Sequence, residues 1–163
     1  MAEVIPQIRN AVRALIIEDD HVLLLKKDGY ETGGVRYALP GGGQDAGECL
    51  EDTLQRECLE EIGTAIRIGD LIAVADFLKL RDTTPVTRRH VMEFLFLCQV
   101  PESYRARSGP EPDKHQVDVV WMPMDNLPTI QLFPQYLSSC IPEYRNPERP
   151  IYLGCFKDEG FPA

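Results

Sequence analysis

The chain has 163 residues, 44% of them hydrophobic and 26% charged, enough to build one packed core without disulfides or a structural metal, which excludes a disordered tail or a fibre. A formal net charge of −9 excludes a protein that grips nucleic acid by its backbone, because that binding needs clustered Lys and Arg to displace counterions. A small phosphorylated ligand is still allowed, since a few cations or a metal ion can hold it locally.

From Met1 to Arg9 there is no long apolar run behind a basic start, and no later stretch approaches the length of a membrane span, so no membrane partner and a cytoplasmic location are expected. Ala11 to Ile17 and His21 to Leu25 are β-rich runs around Glu18-Asp19-Asp20 and predict a largely buried hairpin. Gly29 to Gly34 reads as a loop and Val35 to Leu39 as a short strand; Pro40-Gly41-Gly42-Gly43 reads as a break that no helix or regular strand crosses. The strongest helix runs from Cys49 to Ile62 and ends at Gly63, a residue suited to a left-handed cap. Ile66 to Leu80 and Val91 to Val100 predict a hairpin across a polar turn, Arg81 to His90. A loop from Ser103 to Lys114, a strand from Val117 to Met122, a helical turn from Pro123 to Leu127, a second helix from Phe133 to Cys140 and a last strand from Ile151 to Phe156 complete one domain over residues 1–163. Cys49, Cys58, Cys98, Cys140 and Cys155 form no CxxC pair and are expected to be free thiols.

At about 100° per residue, Glu57, Glu60 and Glu61 fall within roughly one 100° sector of the helix. That sector overlaps the apolar stripe of Leu50, Leu54, Cys58 and Ile62, which puts Glu61 at the edge of the core. Like charges at i and i+4 cost about a few tenths of a kcal/mol and anions in the last helical turn roughly 0.3 to 1 kcal/mol, so something must offset them. Hard divalent cations take carboxylate oxygens. The competing reading is a solvated acidic face, with Arg56 partly neutralising Glu60.

The run Gly42, Glu48, then Arg56-Glu57-Cys58-Leu59-Glu60-Glu61-Ile62-Gly63-Thr64 resembles the Nudix box, G-x5-E-x7-R-E-U-x-E-E-x-G-U with U aliphatic, at every charged and glycine position. The lead-in Tyr37-Ala38-Leu39-Pro40-Gly41-Gly42 is similar to that family's aromatic-x-x-Pro-Gly-Gly. Cys58 and Thr64 depart from the aliphatic positions, and both are compact. The resemblance implies an α/β fold, an α/β/α sandwich with a mixed sheet and the loop-helix-loop of the box. It further implies a hydrolase that cleaves a pyrophosphate bond in a nucleotide-type substrate using Mg²⁺, with Mn²⁺ as a substitute.

By resemblance, Glu57, Glu60 and Glu61 are metal ligands, Arg56 orients a glutamate, and Glu48 is a further ligand or supports one. Glu57 is alternatively the general base, or the base lies outside the box at Glu93 or Glu111. Lys26, Lys27, Arg88 and Arg89 are candidate phosphate contacts, with solubilising surface charge the preferred reading of each as a single residue. His21, His90 and His115 are too scattered for a zinc site, and Trp121, Phe94 and Phe96 read as core. A nucleotide-sensing module without catalysis is the alternative function, disfavoured because all the box carboxylates are present. RNA decapping is disfavoured by the acidic balance. The partner is a small nucleotide-type molecule of open identity, and the resemblance allows a homodimer.

Overall fold

The computed structural model describes residues 2–161. Its strands are β1 (Glu3–Glu18), β2 (His21–Lys27), β3 (Arg36–Ala38), β4 (Gly41–Gly43), β5 (Arg67–Arg81), β6 (Thr87–Gln99), β7 (Gln116–Pro123), β8 (Leu132–Phe133) and β9 (Tyr152–Lys157). The helix α1 (Leu50–Ile62) follows β4, and the short α2 (Leu137–Cys140) follows β8.

The strands form two wings that share the β1–β2 hairpin, where Ile17 pairs with Val22 and Glu18 with His21. One wing runs β4-β1-β6-β5-β9 and the other carries β7 and β3 on either side of β2, with β8 beyond β3. Pairing is mixed: β1 lies parallel to β6, whereas β5 and β6 are antiparallel. Because side chains alternate along a strand, β1 sends Val12, Ala14 and Ile16 to one face and Ala11, Arg13 and Leu15 to the other. The first set packs with Leu54, Cys58 and Ile62 of α1 and with Leu23, Leu25 and Val119 of the second wing. Leu15 instead joins Leu24, Leu95, Leu127, Leu137 and Ile141 beneath α2. Helical layers therefore lie on opposite sides of the sheet, as the α/β/α expectation required.

The expected helix stands, with Cys49 at its N-cap and Gly63 left-handed at φ 71°. Three expectations need correction. Gly41–Gly43 is not a break: it pairs antiparallel with β1, Ala11 to Gly43 and Arg13 to Gly41, since glycine backbones can approach closely where side chains cannot. The polar turn is shorter than Arg81 to His90, because Arg88, Arg89 and His90 continue the β5–β6 ladder opposite Leu80, Lys79 and Leu78. The second helix shrinks to Leu137–Cys140, since Leu132–Phe133 pairs with Tyr37 and Ala38 as a strand. Residues 3–9, given no element by the sequence reading, extend β1 along β6. All five cysteines are free thiols. No helix among the described residues is long and apolar enough to cross a membrane.

Candidate active site

The glycine strand and α1 are held against each other by charged side chains. Arg56 is the hub: its Nε and Nη2 donate to the two Glu48 oxygens at 2.9 Å each, Nη1 donates to Glu57 Oε1 at 2.9 Å, and Nη2 reaches the Gly43 carbonyl at 3.2 Å. A bidentate guanidinium–carboxylate pair is geometrically demanding, so Arg56 sets the loop from Gly43 to Glu48 on the helix. This contact holds the Glu48 carboxyl down to about 2, its ordinary value being 4.5. Glu60 receives a weaker share, 3.6 Å from Arg56 Nη1, so the expected i to i+4 pair exists but is secondary.

Glu61 is in the core, only 2% exposed. Its Oε1 accepts from the Gly41 N–H at 2.8 Å, and burial pushes its pKa up to about 8. Glu57 is raised in the same direction by burial, against the pull of Arg56. Gly42 leaves room for it: a Cβ there would stand 2.5 Å from Glu57 Oε1.

On the other side of Gly41, Arg13 Nη1 donates to the Gly41 carbonyl at 2.9 Å and Arg13 Nε contacts Glu93 Oε2 at 3.1 Å. Burial works against the Arg13 charge, yet Glu93 and then Glu61 outweigh it and its pKa is raised. The Gly41 peptide thus links Glu93 and Arg13 to Glu61.

The loop before β7 closes over the end of α1. Gly109 N donates to Glu61 O at 2.9 Å, Glu111 N to Glu60 O at 2.9 Å, Tyr104 Oη to Ile62 O at 2.9 Å and Arg107 Nη2 to Gly63 O at 2.6 Å. These donors satisfy carbonyls left open at a helix C-terminus and offset its negative end, where the carboxylates crowd. Of the two outside candidates for a base, Glu93 is brought to Arg13, while the Glu111 side chain is exposed to solvent.

Lys27 pairs with Asp113 at 2.5 Å, and Lys26 lies on the opposite face of β2. Arg88 donates to the carbonyls of Leu78 at 3.1 Å and Asp158 at 2.7 Å, so it ties strand backbone and is not brought to the box. Arg89 points to the other face of β6, the face of Glu93. Sequence reasoning missed Arg13, Lys79 and Asp113. Lys79 is exposed, and its pKa is lowered first by the surrounding protein and then by Arg13 and Lys27. Strand pairing places Arg13 and Lys79, the loop before β7 brings in Asp113, and no spacing in the chain encodes either.

In kind, the donors suit a hard divalent cation: Glu57, Glu60 and Glu61 offer only oxygens, and Glu61 keeps a second oxygen beyond its bond to Gly41. Among the described residues, no three such groups are yet converged at ligand distances, since Arg56 draws Glu57 and Glu48 to itself.

The buried Glu61 carries a pH signature in the metal-free protein. Its folded pKa, about 8, exceeds the ordinary 4.5, so folding retains a proton between those values. The stability present below pH 4.5 is therefore lost as pH rises through about 8. With EDTA present, the thermal midpoint should fall by several degrees from pH 5 to pH 8.5, and Glu61→Gln should flatten that slope. A wild-type midpoint that holds level or rises over this range would contradict the burial argument.

A family model described as NUDIX domain matches residues 7–142. An ADP-ribose pyrophosphatase of Methanocaldococcus jannaschii is 33% identical over 90 residues, which is 55% of this chain and 50% of that one. A human protein described as 8-oxo-dGDP phosphatase NUDT18 is 31% identical over 112 residues, covering 69% of this chain and 31% of its own length. The chain thus spans half the length or less of these curated relatives. A solved NUDIX hydrolase from Nitrosomonas europaea superposes with a TM-score of 0.69 at 23% identity, covering 85% of this chain and 88% of that one.

Proposed function

Because the chain belongs to the Nudix family, we propose that it hydrolyses a pyrophosphate bond in a nucleoside diphosphate linked to a second moiety, using a divalent cation such as Mg²⁺. The observation that carries this reading is the placing of Glu57, Glu60 and Glu61 at one end of α1, with Glu61 buried against the Gly41 amide. The names of the two curated relatives, a pyrophosphatase and a phosphatase, support a hydrolase over a sensing module. So does the presence of Glu48, Glu57, Glu60 and Glu61 together.

Glu57, Glu60 and Glu61 would hold the cation, with Glu48 as a further candidate. Bound there, it would neutralise charge on the phosphates and lower the pKa of water. Arg56 orients Glu48 and Glu57 through short charged hydrogen bonds. The Gly41 N–H fixes one Glu61 oxygen and leaves the other available, while Arg13 and Glu93 hold the Gly41 peptide in place. Glu57 would serve either as a ligand or as the general base, and Glu93, paired with Arg13, would be the outside alternative.

Activity should vanish in EDTA and return with Mg²⁺ or Mn²⁺. The assay is a screen of ADP-ribose, nucleoside triphosphates, nucleotide sugars and dinucleoside polyphosphates, coupled to a phosphatase and read as phosphate. Full turnover in EDTA on any of them would end the metal-based reading.

A further inference from the structure

The face of the first wing that carries Arg13 and Glu93 continues outward to a second group of cations. On alternating positions of β1, β6 and β5 this face carries Arg9, Arg89, Lys79 and Arg81. Arg9 aligns with Val91, two residues from Arg89; Lys79 stands directly opposite Arg89, and Arg81 opposite Thr87 on the diagonal. Such neighbours on one face of a sheet lie within reach of long side chains.

Among the described residues these cations have no carboxylate partners. Arg13, Lys27 and Arg56 each have a carboxylate within 4.0 Å, whereas Arg9, Lys79, Arg81 and Arg89 have none among the described residues. None of these side chains makes a hydrogen bond to the described residues either, unlike Arg88, which is spent on two carbonyls. Burial first, then Arg81 and Arg9, lower the Arg89 pKa, so the guanidinium groups are near enough to repel. Lys79 has the Phe133 ring 5.6 Å from its ammonium, but in a chain of net charge −9 three guanidinium groups on one face with no carboxylate partner among the described residues call for an anion.

The strip also adjoins the box. A Cβ on Gly43 would stand 2.8 Å from Arg9 Nη2, so that guanidinium rests against the glycine strand. Arg9 further lines a cavity of about 360 Å³ with Asn10, Gln44, Asp45 and Glu48. Four residues of strand separate Arg9 from Arg13 and Arg89 from Glu93, roughly 13 Å at about 3.3 Å per residue. The arginine side chains themselves can close part of that distance.

We propose that Arg9, Arg89 and Arg81 form an anion subsite that takes a second phosphoryl group of the substrate, remote from the pyrophosphate bond that is cleaved. The preferred substrate class is then a diphosphate-linked nucleotide bearing an additional phosphate monoester, in place of one whose other half is neutral. This rests on the pyrophosphohydrolase reading only for the identity of the cleaved bond. The subsite itself can be tested by binding alone.

The test uses two pairs of probes that differ by one phosphate: NADPH against NADH, and coenzyme A against 3′-dephospho-coenzyme A. Calorimetric titration of the metal-free protein requires no turnover, so a failure of the hydrolase reading leaves it unaffected. In at least one pair the phosphorylated member should bind about tenfold or more tightly, an advantage screened by salt. The double variant Arg9→Gln/Arg89→Gln should reduce that ratio to below about twofold without lowering the thermal midpoint, since it relieves repulsion. Equal affinity within both pairs in the wild type would overturn the proposal, as would an advantage that survives in the double variant.

Discussion

In Glu60→Gln, turnover should fall by about 100-fold or more while the fold survives. A neutral amide is a poor ligand for a hard cation, and charge neutralisation by such an ion contributes several kcal/mol at the transition state. Losing about 3 kcal/mol of it corresponds to roughly a 100-fold slower step. Metal-free stability should move the other way or not at all. Glu60 lies in the last turn of α1, beside Glu57 and Glu61, so removing its charge relieves up to about 1 kcal/mol. Its 3.6 Å contact with Arg56 is a half-exposed ion pair and offsets only part of that. The measurements are kcat and the EDTA thermal midpoint on one preparation. Wild-type turnover would make these carboxylates surface decoration, and loss of folding together with activity would assign Glu60 a structural role instead.

Gly41→Ala should be the most damaging small substitution at the site. Gly41 sits at φ 138°, and a Cβ there would stand 2.0 Å from the Val12 carbonyl oxygen and 2.9 Å from the Arg13 Cα, both backbone. Neither can move without opening the β1–β4 ladder. The cost should reach about 3 kcal/mol or more, which for a chain of this size lowers the midpoint by roughly 6 to 12 °C. Activity should fall further than stability, because the Gly41 peptide carries both the Arg13 contact and the Glu61 hydrogen bond. Gly47→Ala is the control: its φ is 92°, but no atom lies within 4 Å of the added Cβ, so only conformational strain remains. Equal midpoints for the two variants would show that steric overlap is not what fixes Gly41.

The helix and the shared face of its carboxylates were readable because they are local. Cys49 to Ile62 carries its own start, stop and periodicity, and the spacing of Glu57, Glu60 and Glu61 fixes their common face once a helix forms. The overlap with the apolar stripe put Glu61 at the edge of the core, and the structure carries it further in, to 2% exposed. Local signals misled where pairing overrode them. Three glycines in a row lack any strand propensity, yet they became a strand because β1 offered partners and a side chain would have collided with it. In the same way Arg88, Arg89 and His90 look like a polar turn until β5 pairs opposite them.

The sequence by itself determined the helix and the carboxylates that it gathers on one face, since all of this lies within 23 consecutive positions, Gly42 to Thr64. Only the tertiary structure decided what surrounds that helix. Arg13 meets Glu93 across 80 residues and Lys27 meets Asp113 across 86. Arg9, Lys79, Arg81 and Arg89 share a face only through the register of three strands. Such contacts depend on which strands pair and with what offset, and a slip of one residue would turn each of these side chains to the opposite face.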